Sequence, residues 1–213
     1  MSQQAHMARR ILLATGNAHK VREIQRILHP LLPNSIEILS LANTGLGSLP
    51  DEVEHFQTFS ANARAKAEWC RDRSGIECIA DDSGLCVDAL AGAPGVRSAR
   101  WAGPTDADRN RALLLELELA RADAESTRTA QFVCSAAFAS ADTSIPTIVA
   151  LGSSRGRILT LPVGAAGFGY DPVFFSPELE MTFAEAKDAE KDRVSHRGRA
   201  LHMLISHIVE FVQ

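Results

Sequence analysis

The feature that most constrains the fold is a change of period near the N-terminus. Ile11-Leu12-Leu13-Ala14 is a short apolar run, and Thr15-Gly16-Asn17 follows at once. Beyond it Val21, Ile24, Ile27 and Leu28 recur at helical spacing until Pro30 ends the pattern. A strand passing through a tight turn into an amphipathic helix opens an α/β unit, so the chain needs a sheet covered by helices. Further strands are expected over 35–41, 77–80, 85–90, 129–141 and 145–160, beside the first at 10–14. Helices are expected over 18–29, 58–73 and 106–122, with a last one starting at Ser195. Its buried stripe is Leu201, Leu204, Ile205, Ile208 and Val212. Residues 43–57 and 92–104 read as loops, and Asp81-Asp82-Ser83-Gly84 as a turn between two strands. The pair 129–141 and 145–160 reads as a hairpin, so the sheet is mixed.

The 213 residues suit one domain over 9–213 behind a loose tail over 1–8. With 46% apolar and 23% charged residues the chain is globular rather than disordered. A net charge of -4 disfavours binding along a nucleic-acid backbone, yet leaves room for a small anion held by a local cationic cluster. No apolar stretch approaches the ~20 residues of a membrane span, and the polar start is no secretory signal. Cys70, Cys78, Cys86 and Cys134 form no C-x-x-C pair and read as reduced thiols of a cytoplasmic protein.

Five segments carry chemistry. Thr15-Gly16-Asn17-Ala18-His19-Lys20 lies at a strand end and a helix start, where backbone N–H groups, the helix dipole and a lysine attract an anion. A capped turn with a solvated lysine fits the same residues. Asp81-Asp82-Ser83-Gly84 places two acids after an apolar strand, which suits Mg²⁺ or a proton acceptor, or equally a plain hairpin turn. Asn62 and Lys66 share one helix face. Phe168-Gly169-Tyr170-Asp171 combines stacking rings with an acid, and also reads as a packed turn. In Lys191 to Gly198, Ser195 is a good N-cap that puts His196 and Arg197 in the first helical turn, against the dipole, which calls for a bound anion or acceptor. A solvated basic turn fits the same residues.

In this order the segments resemble the noncanonical purine nucleoside triphosphate pyrophosphatases, the inosine triphosphatase-like enzymes. The likeness is carried by Thr15-Gly-Asn-x-x-Lys20, Asp81-Asp-Ser-Gly-Leu85, Gly92-Ala-Pro-Gly-Val96 with Ser98-Ala-Arg100, Gly167-Phe-Gly-Tyr-Asp-Pro172 and Ser195-His-Arg197. It runs from about Arg9 to the C-terminus. It implies an elongated mixed sheet flanked by helices, with two lobes and the active-site cleft between them. It also implies Mg²⁺-dependent hydrolysis of ITP, dITP or XTP to monophosphate and pyrophosphate, and a homodimer.

By the same resemblance Thr15, Gly16, Asn17, Ala18, His19 and Lys20 hold the triphosphate and sugar. Asp82 is the proton acceptor and a metal ligand, Glu54 is the second metal ligand, and Ser83 touches the nucleotide. Lys66, Phe168, Gly169, Tyr170, Asp171, Lys191, His196 and Arg197 complete the substrate pocket. The family pattern Thr-Phe-x-Glu-Asn stands here as Thr58-Phe59-Ser60-Ala61-Asn62, with Ala61 at the Glu position.

The chemistry is consistent with the parts. Lys20, Lys66, Lys191 and Arg197 can offset the roughly four negative charges of a triphosphate together with Mg²⁺. Buried donors such as His196 and Arg197 favour a 6-keto purine, because an adenine amino group would leave them unpaired. A pyrophosphatase for modified pyrimidines or methylated nucleotides, and a nucleotide sensor without turnover, are the rival readings.

Overall fold

The computed structural model describes residues 9–212, with side chains through residue 209. The tail expected over 1–8 and the Val212 side chain lie outside the described residues. Seven strands form one sheet in the order β2-β1-β3-β4-β5-β6-β7. They are β1 (Arg9–Leu13), β2 (Ile36–Ser40), β3 (Glu77–Val87), β4 (Thr129–Ala139), β5 (Ile148–Ile158), β6 (Phe174–Ser176) and β7 (Met181–Thr182). The helices are α1 (Ala18–Leu28), α2 (Phe59–Ser74), α3 (Asp106–Leu119), α4 (Asp188–Val194) and α5 (His196–Val212). β1 runs parallel to both β2 and β3, and every later pairing is antiparallel, so the sheet is mixed as expected.

Strand alternation sorts side chains to the two faces. On one face α1 and α5 bury Ile24, Ile27, Leu28, Leu201, Leu204 and Ile208 against Ile11, Leu13, Ile79 and Phe138. On the other, α2 brings Ala63, Ala67 and Cys70 onto Leu12, Ala14, Cys78, Ala80 and Ala137. A separate core further along the long strands joins Leu85, Val87 and Phe132 to Leu113 and Leu117 of α3 and to Tyr170, Phe174 and Phe183. Ile79 belongs to the first core and Leu85 to the last. The odd positions between them on that face are Asp81 and Ser83. This polar interval separates the two cores.

Two expectations are corrected. The segment Asp81 to Gly84 is not a turn, because β3 is a single eleven-residue strand running through it. Its partners on β4 are small or β-branched, with Asp81 opposite Ala136, Asp82 opposite Ser135, Ser83 opposite Cys134 and Gly84 opposite Val133. Ladder pairing and waiting cations override the local turn preference of Asp-Ser-Gly. The stretch before Ser195 also contains α4, which carries no long apolar stripe to announce it. β6 and β7, three and two residues long, are too short for the sequence pattern to announce, and the other elements stand within a few residues of expectation. The four cysteines are free, and no described helix is long and apolar enough to cross a membrane.

Candidate active site

β1 pairs with β3 only as far as Leu13 opposite Ile79, and the chain then turns away through Thr15 and Gly16. β3 continues for eight more residues, so beyond Ile79 its edge on that side has lost its parallel neighbour. Side chains from both faces of β3 therefore reach one space. Here lies a cavity of about 370 Å³, lined by Thr15, Gly16, Asn17 and Lys20 from the β1–α1 turn and by Asp82 and Ser83 from β3. Lys66, Glu54 and Arg100 close one end. Phe168, Gly169, Tyr170, Asp171, Lys191, His196 and Arg197 close the other. The mouth of an α/β sheet at a strand's carboxyl end is the usual place for a ligand.

Each β3 acid has its own cationic partner. Asp82 faces α2, where Asn62 Nδ2 donates to Oδ2 at 3.0 Å and Lys66 Nζ to Oδ1 at 3.1 Å. Lys66 is only 2% exposed, and the same ammonium donates to Glu54 Oε1 at 2.9 Å. Arg100 approaches the other Glu54 oxygen at 2.5 Å. Burial, which would raise the Glu54 carboxyl, is outweighed by Lys66, with Lys20 and Arg100 adding to it, so its pKa is lowered. Burial would also lower Lys66, but Asp82, Asp81 and Glu54 raise its pKa instead. Asn62 further ties the loop before α2, accepting from Phe56 N at 2.9 Å and donating to Phe56 O at 3.2 Å.

Asp81 points to the opposite face and is fully buried. Its Oδ2 meets Lys20 Nζ at 3.1 Å and accepts from Arg197 Nε, Arg197 Nη2 and Ser83 Oγ. Burial alone would raise the Asp81 pKa; Lys20, Arg197 and Lys66 reverse that and hold it far below the usual range. Arg197, 2% exposed, also reaches Glu23. Glu23 in turn accepts from Lys191 at 2.7 Å, and Lys191 donates to Asp171 at 2.6 Å. The cations that oppose the α5 dipole are thus answered by carboxylates from α1 and β3. His196 carries no charge to oppose it: burial, then Arg197 and Lys191, push its pKa well below the ordinary value. Its ring stacks on Phe132 with centroids 4.6 Å apart, and its buried Nδ1 has no partner among the described residues.

Of the residues expected in the site, all but Ala18 and His19 line the cavity. Ala18 is exposed in the first turn of α1, and His19 stacks on the outer side of Phe168 at 5.2 Å. The α1 N-terminus is also less free than expected, because Asn17 Oδ1 accepts from the backbone N–H groups of His19 and Lys20. Ser195 caps α5 as expected, accepting from Gly198 N at 3.0 Å. Ala61 does not line the cavity. Sequence reasoning missed Glu23, 7% exposed, although a glutamate one helical turn before Ile27 in a buried stripe is a signal that a cation lies beyond it. It also gave no site role to Arg100, although that residue ends the Ser98-Ala-Arg100 motif, and left out Asp106 and Arg109, which reach the wall from a segment with no distinctive pattern.

The walls carry six cations (Lys20, Lys66, Arg100, Arg109, Lys191, Arg197) against four carboxylates (Glu54, Asp82, Asp106, Asp171), and Asp81 and Glu23 behind them bring the balance to zero. The arrangement is a neutral, internally paired cradle rather than a basic pit. A bound anion has to share these cations with resident carboxylates.

Comparison with known proteins gives a consistent picture. A dITP/XTP pyrophosphatase of Thioalkalivibrio sulfidiphilus is 45% identical over 202 residues, covering 93% of this chain and 98% of the relative. One of Haemophilus influenzae is 43% identical, covering 95% and 100%. The solved structure of a HAM1 protein from Coxiella burnetii superposes with a TM-score of 0.82 at 36% identity, covering 95% of this chain and 99% of that one. The sequence model of the Ham1 family matches residues 11–207. The kinship carried by the five motifs is thereby borne out over nearly the whole chain, which belongs to the Ham1 family.

Proposed function

We propose that this chain hydrolyses noncanonical purine nucleoside triphosphates, namely ITP, dITP and XTP, between the α and β phosphates, in a Mg²⁺-dependent reaction. The observation that carries the reading is the cavity at the open edge of β3, with a carboxylate–lysine cluster at one end and an aromatic, uncharged-histidine end opposite. The activity printed for the relatives points to the same substrates.

The charge balance supports a divalent cation. A triphosphate brings about four negative charges, and walls whose charges already cancel cannot offset them alone. Glu54 and Asp82 are hard oxygen donors held beside each other by Lys66, and they fit Mg²⁺, which takes one or two carboxylates and completes its shell with phosphate oxygens and water. When bound, the ion supplies charge neutralisation and an acidified water. Asp82 takes the proton from the attacking water, the α–β phosphoanhydride bond breaks, and pyrophosphate leaves with its electron pair. Lys20 and Arg100 steady the phosphates, Lys20 exchanging its hold on Asp81 for a phosphate oxygen.

At the other end the neutral His196 ring lines the pocket where the base is received. Most Arg197 donors are spent on Asp81, Glu23 and Ser83, so this side chain acts chiefly by holding the pocket, and His196 is the principal reader of a 6-keto group. Three buried free thiols support a reducing compartment such as the cytoplasm, and the family resemblance supports a homodimer, which sedimentation equilibrium tests.

The decisive measurement is a turnover panel of ITP, XTP, dITP, GTP and ATP, with Mg²⁺ and with a chelator, products identified by chromatography. Monophosphate and pyrophosphate from the first three, lost with the chelator, are expected. Nucleoside diphosphate and orthophosphate as first products would overturn the proposed bond.

A further inference from the structure

We infer that Asn110 of α3 is a positioning residue for base binding, acting through the peptide groups of Gly169 without lining the cavity itself. The inference deepens the proposed function, resting on the Phe168 segment being the base-binding wall. α3 buries Asn110, Leu113 and Leu117 on one stripe. An amide in a leucine stripe is costly unless it makes a bond that the site needs. Asn110 is 6% exposed; its Nδ2 donates to Gly169 O at 3.0 Å, and its Oδ1 has no partner among the described residues. The side chain is therefore spent on one carbonyl. One turn earlier on the same helix, Asp106 Oδ2 accepts from Gly169 N at 2.6 Å. α3 thus grips both peptide groups of a residue at φ +64, a conformation that favours glycine.

What this grip holds is the aromatic wall. Phe168 precedes Gly169, lines the cavity and lies under Lys191 Nζ, 5.2 Å from the ring centre. Tyr170 follows, its hydroxyl donating to Ser98 O at 3.1 Å. Within the turn, Phe168 N donates to Asp171 Oδ2 at 2.9 Å. These contacts tie the turn to itself and to the segment before Arg100, whereas Asn110 and Asp106 tie it to α3. Without the Asn110 bond, the ring is less ordered before a base arrives, and ordering it draws on binding free energy. The phosphate end, built from Lys20, Lys66, Glu54 and Asp82, is not touched by α3 through this bond.

The test compares wild type with Asn110→Leu, which keeps an apolar stripe, and Asn110→Asp, which keeps the shape but turns an acceptor towards Gly169 O. Hydrogen–deuterium exchange over residues 166–171 reads the grip directly, and Michaelis parameters for ITP read its consequence. Inhibition by tripolyphosphate, which has no base, reads the phosphate end. Both variants are expected to exchange faster in that segment and to raise KM for ITP about tenfold, with kcat and tripolyphosphate inhibition nearly unchanged. Unchanged exchange in either folded variant would overturn the inference, and so would equal losses for ITP and tripolyphosphate. If wild type turns over none of the nucleotides, the proposed function fails by itself, and the exchange data still decide whether Asn110 holds the turn.

Discussion

Arg197 divides its guanidinium among Asp81, Glu23 and Ser83, all deep in the molecule. Arg197→Ala leaves two buried carboxylates short of a cation, and breaking a buried pair in this way costs about 3–5 kcal/mol. A large fall in urea midpoint is expected, so this variant tests the fold before it tests the base. His196→Ala removes a reader with less disturbance to the ion pairs. It should narrow the ITP-to-ATP ratio of kcat/KM by the equivalent of about 1–3 kcal/mol, whereas Lys20→Ala should weaken both nucleotides alike. Equal ratios in the two variants would assign His196 to the phosphates. Asp82→Asn keeps volume but turns an NH2 group towards Lys66 or Asn62, both donors. Turnover should therefore fall about 10²- to 10⁴-fold, with a lowered melting temperature but the fold retained. Turnover near wild type would remove Asp82 from the chemistry.

At the scale of elements, the site depends on how closely β3 approaches the 3₁₀ segment Gly95–Arg100. A Cβ at Gly84 would overlap Gly95 O and Ser98 Oγ, and the Ser98 hydroxyl is needed because it accepts from Leu85 N at 2.9 Å. Gly84→Ala should therefore cost about 1–3 kcal/mol by overpacking. It should also lower activity, since the displaced segment carries Arg100 against Glu54. The check is thermal unfolding together with turnover. A variant that melts like wild type would mean that this segment yields freely. The same closeness recurs where α5 crosses β5, because a Cβ at Gly152 would collide with the His196 carbonyl and the Ala200 amide.

For the molecule as a whole, the buried ionisable groups set the response to acid. The folded pKa of His196 lies well below the ordinary 6.5. Below pH 6.5 the unfolded chain takes up a proton that the folded chain refuses, so this contribution is complete above pH 6.5 and declines as pH falls. The slope from one such group is at most about 1.4 kcal/mol per pH unit. Glu23 and Glu54 are lowered from 4.5, so what they contribute is present above that value and is lost as pH falls through their folded values. Urea unfolding of wild type between pH 7 and 5 should show declining stability that is flattened in His196→Phe. Parallel profiles for the two proteins would mean that His196 is not held neutral by the fold.

Local pattern was enough for the α/β class, the mixed sheet and most element positions, because apolar period is a property of neighbours along the chain. Apolar spacing placed α1 and α5, and α2 stands within a residue of its expected 58–73. The ordered motifs likewise located most of the residues that meet in the cavity, since each is a short run of neighbours along the chain. Tertiary structure alone decided how they are used. Asp81 to Gly84 has turn chemistry, and only the β4 ladder and the cations on each face keep it a strand. Lys66 looks like a solvated helical lysine until Glu54 and Asp82 are brought beside it. Glu23, Asp106 and Asn110 acquire roles from partners 168, 63 and 59 residues away. Charges so distant in sequence find one another only when folding excludes water and leaves each buried group to be satisfied by another.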